Sequence, residues 1–132
     1  MEKTNAIRIV ESKKINYKVH YYDDTKAISA NEVADILNED PNKVFKTLVT
    51  ISKSKKYYVF ILPGNEELDL KKAAKVAKEK SIDMVKSKEL LNLTGYIHGG
   101  CSPIGMKKLF KTYIHITAFN YETIKITAIA GL

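Results

Sequence analysis

Two apolar, strand-like runs lie close together near the middle of the chain, at residues 45–52 and 57–62. Only Lys53-Ser-Lys-Lys56 separates them, so a β-hairpin is the simplest connection. Both runs are almost continuously apolar, which is typical of strands that are covered on both faces. The chain is therefore expected to fold around a sheet that has this hairpin in its middle.

Helix and strand signals alternate irregularly on either side of the hairpin. Cap residues and apolar spacing predict helices over residues 5–13, from the Ser29–Glu32 capping box, after Asp40-Pro41, from Asp69 to residue 78 and from Ser87 to about residue 94. The helix after the capping box is expected to bury Val33, Ile36 and Leu37. Further strands are predicted at residues 17–22, 82–85, 113–116 and 123–129. This order favours one α+β domain over residues 1–132, with a mixed, largely antiparallel, barrel-like sheet flanked by helices.

The composition bounds the class of protein. The chain carries 22 basic and 15 acidic side chains, a formal charge of +7. Such an excess favours encounter with a polyanion such as RNA, but a lysine-rich coding bias gives the same excess with no partner. No run reaches the ~20 apolar residues that span a bilayer, and residues 1–8 have no signal-peptide core. Cys101 is the only cysteine, so we expect a cytoplasmic protein with no internal disulfide and no membrane partner.

A glycine-rich stretch, Gly95-Tyr-Ile-His-Gly-Gly-Cys-Ser-Pro-Ile-Gly105, follows the last predicted helix. Glycine permits positive φ and lets the backbone approach a ligand closely. Consecutive N–H groups around Gly99, Gly100 and Cys101 could form a nest for an anion or a developing oxyanion. A long turn between two strands has the same composition, so both interpretations stay open.

Three types of side chain are candidates for chemistry. Lys46 lies in an apolar strand, where a lysine is costly unless it meets an anion or is an edge lysine that reaches solvent. Cys101 could be a nucleophile, although a buried, inert thiol is the more ordinary state. The three histidines have no neighbouring ligand at a metal-binding spacing, so no metal site is predicted; they are His20, His98 and His115.

Three stretches carry, in order, a resemblance to a known family. They are Val44-Phe-Lys-Thr-Leu-Val49, Leu68-Asp-Leu-Lys-Lys72 and Thr94-Gly-Tyr-Ile-His-Gly-Gly-Cys-Ser-Pro-Ile-Gly-Met-Lys-Lys108. The chain resembles the YbaK/EbsC family, free-standing relatives of the editing domain inserted in prolyl-tRNA synthetases. The resemblance implies trans-editing hydrolysis of mischarged aminoacyl-tRNA, chiefly Cys-tRNA(Pro), without a metal or other cofactor.

The resemblance also implies a site that has no side-chain nucleophile. The catalytic positions would be the essential lysine and the loop backbone that faces the ester: Lys46, Gly99, Gly100 and Cys101. The substrate pocket would be lined by Tyr22, Ile28, Thr47 and Ser102. The lysines after the glycine-rich stretch would bind tRNA: Lys107, Lys108 and Lys111. Relatives have an aliphatic residue at the position of Cys101, so its thiol is given no role.

The partner implied by the resemblance is mischarged tRNA(Pro), with prolyl-tRNA synthetase as a second partner, and the protein would be a monomer or weak homo-oligomer. Two alternatives stay open: a non-catalytic module that binds the tRNA end or the synthetase, and a deacylase for another amino acid such as alanine. Relatives continue beyond the position of Leu132 with a further strand, which carries an acidic residue, and a helix. We therefore expect weak deacylation, with self-association through the strand at residues 123–129 or disorder near Leu132.

Overall fold

The computed structural model describes residues 5–13, 30–98 and 100–126. Its helices are α1 (Asn5–Ser12), α2 (Ala30–Ile36), α3 (Leu70–Ala77) and α4 (Ser87–Thr94), with 3-10 turns at Pro41–Lys43 and Ile116–Asn120. Its strands are β1 (Val44–Ser52), β2 (Tyr57–Pro63), β3 (Ile82–Met84), β4 (Lys111–Ile114) and β5 (Lys125–Ile126). The strand predicted at residues 17–22, the Ser29 cap and the strand residues 127–129 lie outside the described residues.

The β1–β2 hairpin forms the centre of the sheet. β1 pairs antiparallel with β2, from Phe45 opposite Pro63 to Ile51 opposite Tyr57. On its other side β1 pairs antiparallel with β3 and parallel with β5, while β2 pairs parallel with β4. The predicted hairpin and the mixed, mostly antiparallel sheet are confirmed. The described strands form an open sheet and do not close into a barrel.

Side chains alternate along β1, so the sheet has two differently covered faces. The loop face, which carries Phe45, Thr47 and Val49, packs against α4 and the glycine-rich loop. The cluster on the loop face consists of Phe45, Val49, Val59, Ile61, Leu90, Tyr96 and Cys101. The helix face, which carries Val44, Lys46 and Thr50, is covered by α2 and α3. Covering layers on both faces explain why the two central strands read as apolar runs.

α3 begins at the predicted cap. The Asp69 side chain accepts hydrogen bonds from the backbone N–H groups of Lys71 and Lys72, at 3.0 and 3.1 Å. Its buried positions are Ala73 and Ala74, whose small side chains let the helix approach β2 closely. The helix ends at Lys78, which adopts the left-handed conformation with a φ of 59°.

Three local predictions need correction. Ile36 is 45% exposed, because the inward positions of α2 are Val33 and Ala34. Ser87 is the first residue of α4 and not its cap, and the cap position is held by Lys86 without a side-chain hydrogen bond. The strand predicted at residues 113–116 ends at Ile114, because the His115 ring accepts a hydrogen bond from the Thr117 N–H and caps a 3-10 turn.

No helix within the described part of the chain is both long and apolar enough to span a membrane.

Candidate functional site

Lys46 and Thr47 are adjacent on β1 but project from opposite faces of the sheet. Strand alternation places Lys46 on the helix face, opposite Leu62 of β2. It places Thr47 on the loop face, opposite Ile61 and between Phe45 and Val49. The structure therefore brings Thr47 to the side of the glycine-rich loop and leaves the Lys46 ammonium on the other side.

Lys46 is a half-buried cation in an interior strand. Its Nζ donates a hydrogen bond to the Gly64 carbonyl at 3.3 Å, just beyond the end of β2. Burial lowers the pKa of Lys46, while the nearby charges of Glu67 and Glu66 act in the opposite direction. The edge-lysine interpretation is wrong, because β1 pairs with other strands on both sides. An ammonium with incomplete hydration is suited to holding an anion or polarising a carbonyl oxygen.

Thr47 carries a buried hydroxyl that no other described residue contacts by a hydrogen bond. The residue is 8% exposed, and its Oγ1 has no hydrogen-bond partner among the described residues. Thr50, three positions further along β1 and on the helix face, is fully buried, and its Oγ1 donates to the Tyr58 carbonyl at 2.9 Å. A buried hydroxyl that lacks a hydrogen bond costs free energy unless a ligand or water supplies one.

The glycine-rich stretch is held as an ordered loop by hydrogen bonds from buried residues. Gly95 ends α4 with a φ of 86°, in the left-handed region where a side chain would be strained. The buried Tyr96 donates its hydroxyl to the Ile104 carbonyl at 2.6 Å. The Ser102 Oγ accepts from the Ile104 N–H at 3.1 Å, and Ser102 is fully buried. The loop conformation is thus fixed by its own contacts.

One of the donors expected in the anion nest is already in use. The Gly100 N–H donates to the Ile97 carbonyl at 3.1 Å, so it is engaged within the loop. Gly99, whose N–H was expected beside it, lies outside the described residues. The stretch was interpreted either as an anion-binding nest or as a long turn, and the Gly100 hydrogen bond fits the turn.

The Cys101 side chain belongs to the core. It is 3% exposed, lies in the loop-face cluster and donates to the Thr94 Oγ1 at 3.7 Å. Burial raises the pKa of the Cys101 thiol, whereas a nucleophilic cysteine needs a lowered pKa and access. This agrees with the expectation of an inert thiol.

The lysines predicted to bind tRNA are exposed and follow the loop. The Lys107 N–H donates to the Thr94 carbonyl at 3.0 Å, and the stem of Lys107 lies beside Gly95. Lys111 places its ammonium 5.7 Å from the centre of the Tyr113 ring. Lys108 is exposed between them. All three residues are exposed, as an RNA contact requires.

The remaining candidate residues are Tyr22, Ile28 and the three histidines. Tyr22, Ile28 and His20 lie outside the described residues. His98 is exposed, and the His115 Nδ1 shares a 2.8 Å hydrogen bond with the Thr117 hydroxyl. Within residues 5–13, 30–98 and 100–126, no group of three His, Cys, Asp or Glu side chains could hold a metal ion.

Sequence reasoning missed a cleft of about 410 Å³ between α3 and the β2–β4 edge of the sheet. Its polar lining includes Glu66, Glu67, Asp69, Lys72 and His115, and its walls include Leu62. None of the predicted site residues that the structure describes lines this cleft. Glu66 and Glu67 nevertheless connect it electrostatically with Lys46. The signal in the sequence was the acidic pair Glu66-Glu67, which follows the Pro63-Gly64-Asn65 strand end.

Comparisons with known proteins point to one family. Residues 24–130 match the family model described as "Aminoacyl-tRNA editing domain". A curated relative from Enterococcus faecalis, "Putative Cys-tRNA(Pro)/Cys-tRNA(Cys) deacylase EbsC", is 45% identical over 128 residues, which are 96% of this chain and 78% of the relative. "Proline--tRNA ligase" of Shouchella clausii is 32% identical over 82 residues, 62% of this chain and 14% of that protein.

A solved structure shares the fold. The crystal structure of "a putative trans-editing enzyme for prolyl tRNA synthetase" superposes with a TM-score of 0.76 at 23% identity. The match covers 92% of this chain and 78% of the other.

Proposed function

Because the chain belongs to the aminoacyl-tRNA editing domain family, we propose that it is an aminoacyl-tRNA deacylase that removes cysteine from mischarged tRNA(Pro). The single observation that supports catalysis best is Lys46, a half-buried cation in the central strand with a pKa lowered by burial. The cysteinyl specificity and the tRNA(Pro) preference rest on the relative with 45% identity, whose name carries both. Prolyl-tRNA synthetase is the partner suggested by the second relative.

The proposed reaction needs little covalent chemistry from the protein. An aminoacyl ester is already activated, so the site mainly has to position it and stabilise the negative charge that develops on the carbonyl oxygen. The Lys46 ammonium provides a positive charge for the terminal phosphate, the ribose or this oxygen. The buried thiol of Cys101 is unsuited to attack, which supports a scheme without an enzyme nucleophile.

For a cysteinyl ester, the thiol of the substrate itself attacks. Its sulfur bonds to the carbonyl carbon, the ester C–O bond breaks, and the thiol proton passes to the ribose oxygen of the released tRNA. Water then opens the thiolactone and gives free cysteine. Alanyl- and prolyl-tRNA lack the thiol, so this scheme predicts slower hydrolysis of both.

The test measures deacylation of cysteinyl-, alanyl- and prolyl-tRNA(Pro) by the intact chain and by Lys46→Ala. We expect cysteinyl-tRNA(Pro) to be the preferred substrate and Lys46→Ala to lower its turnover by about 100-fold or more. The melting temperature should change little, because the variant removes a charge that burial disfavours.

Lys86→Ala is the matched control, because Lys86 is an exposed lysine at the start of α4. Full turnover by Lys46→Ala would contradict the role of Lys46. Tight binding of tRNA without turnover of any of the three substrates would favour the non-catalytic binding module instead. The engaged N–H of Gly100 is the observation that supports this second candidate.

A further inference from the structure

The outer side of α3 carries a row of lysines. Lys71, Lys75 and Lys78 follow one another at helical spacing and are all exposed, while Ala73 and Ala74 face the sheet. α3 covers the helix face, which is also the face from which Lys46 projects. The row therefore runs along the same side of the sheet as the proposed catalytic lysine.

The tip of the β1–β2 hairpin adds further lysines to the end of this row. The Lys53 N–H donates to the Ser81 carbonyl at 3.2 Å, and the Ser54 hydroxyl donates to the Glu79 carboxylate at 2.9 Å. These bonds hold the tip against the segment that follows α3. A cleft of about 450 Å³ lies between them, lined by Lys53, Ser54, Lys78, Glu79 and Lys80.

The lysines of this region outnumber the neighbouring carboxylates, which are Asp69, Glu79 and Asp83. Glu79 accepts hydrogen bonds from the Tyr58 and Ser54 hydroxyls, and Asp69 caps α3. Lys56 is the lysine whose charge acts on Glu79, and Asp83 of β3 is a further exposed acid. Among the described residues, none of the lysines of this region forms an ion pair, and the ion pair between Lys125 and Glu39 lies elsewhere.

The position of the region suits a long substrate. Lys53 follows Lys46 by seven strand positions, which at about 3.3 Å per residue places the hairpin tip roughly 23 Å from Lys46. An aminoacyl ester held near Lys46 is the 3′ end of an RNA. The phosphates of that RNA continue away from Lys46, and the hairpin tip lies where they can be contacted. Lysines act as point charges that contact phosphates without reading bases.

We propose that the lysine surface, formed by Lys53, Lys55, Lys71, Lys75, Lys78 and Lys80, binds the phosphate backbone of the RNA substrate. The proposal rests on the proposed function, because that function supplies the RNA. It adds a second contact region to Lys107, Lys108 and Lys111, which follow the glycine-rich loop. Lys111 lies opposite Tyr58 in the sheet and therefore projects from the helix face as well.

The experiment measures the affinity for uncharged tRNA(Pro) between about 50 and 200 mM salt. The test variant combines Lys53→Gln, Lys75→Gln and Lys80→Gln, which avoids the left-handed positions Lys55 and Lys78. Loss of three phosphate contacts should lower the slope of log K against log salt by about 2 to 3. The corresponding triple arginine variant keeps the charges and should keep the slope.

The matched control combines Lys13→Gln, Lys86→Gln and Lys88→Gln, which remove the same charge from exposed positions just after α1, at the cap of α4 and within α4. An unchanged slope in the test variant, or an equal loss in the control, overturns the lysine surface. The proposal is also overturned if the protein does not bind tRNA. Binding of an acidic protein in place of tRNA counts as such a result.

Because the tRNA used carries no amino acid, the measured salt dependence is independent of turnover. A slope that falls as expected in a chain that deacylates nothing supports the lysine surface and contradicts the proposed hydrolysis. Normal deacylation with an unchanged slope contradicts the lysine surface alone.

Discussion

Two buried threonines three positions apart on β1 differ in one hydrogen bond. The Thr50 hydroxyl donates to the Tyr58 carbonyl, whereas the Thr47 hydroxyl has no partner among the described residues. Both side chains are at least nine-tenths buried. Strand interiors accept valine readily. Substituting valine at each threonine therefore measures the free energy that each hydroxyl contributes to folding.

We predict that Thr47→Val raises the free energy of unfolding by about 1 kcal/mol, because the variant removes a buried polar group that has no hydrogen-bond partner within the described part of the chain. Thr50→Val is the control and should lower it by about 1 kcal/mol, because a satisfied bond is lost. Urea denaturation measures both. If Thr47 lines the substrate pocket, Thr47→Val should also raise KM while the protein becomes more stable. A loss of stability in Thr47→Val would show that its hydroxyl is already satisfied.

Cys101→Ala distinguishes a core thiol from a nucleophile. Since the thiol is buried and burial raises its pKa, we expect deacylation to be nearly unchanged. The small cavity left by the sulfur should cost about 1 kcal/mol of stability. An inactive but folded variant, together with a thiol that reacts near neutral pH, would restore the cysteine nucleophile.

At the scale of elements, one carboxylate ties the hairpin to the segment after α3. The Tyr58 hydroxyl of β2 and the Ser54 hydroxyl of the hairpin tip both donate to Glu79. The hydrogen bond to Glu79 raises the pKa of Tyr58 from 10.0 to about 12, and the bond from Tyr58 is the main cause that lowers the pKa of Glu79 below 4.5. The same tie holds the two halves of the lysine surface together.

This tie should make stability depend on pH at both extremes. The contribution of Glu79 is present above pH 4.5 and is lost as the pH falls through the lower pKa of the folded state. The contribution of Tyr58 is present below pH 10.0 and is lost as the pH rises through about 12. Tyr58→Phe should flatten both ends of the stability profile measured by urea denaturation. Tyr57→Phe, whose ring packs on Phe110, is the control and should keep both slopes.

At the scale of the whole molecule, the central sheet separates two chemical environments. The loop face holds the thiol of Cys101 and the hydroxyl of Thr47 in a closed, apolar cluster. The helix face holds the cation of Lys46, and α3 on this face carries exposed lysines. A substrate that reaches Lys46 therefore approaches the helix face, where the lysine surface lies.

Local signals determined much of the fold. The hairpin follows from two apolar runs with a short polar connection, and α3 begins at Asp69 because a carboxylate there satisfies two free N–H groups. Gly95 ends α4 because the left-handed conformation at that position strains other residues. The family resemblance also depends on short ordered motifs, and the match over residues 24–130 confirms it.

Only the tertiary structure decided which groups meet. The Gly100 N–H bonds to the Ile97 carbonyl within the loop, and Ile36 stays exposed because α2 turns Ala34 inward. The parallel pairing of β5 with β1 and the contact of Ser54 with Glu79 join segments that are far apart in the sequence. Helix caps and turns depend on neighbours within a few residues, so the sequence contains them. Burial, partners and facing charges depend on how distant segments pack, and no local pattern of residues specifies that.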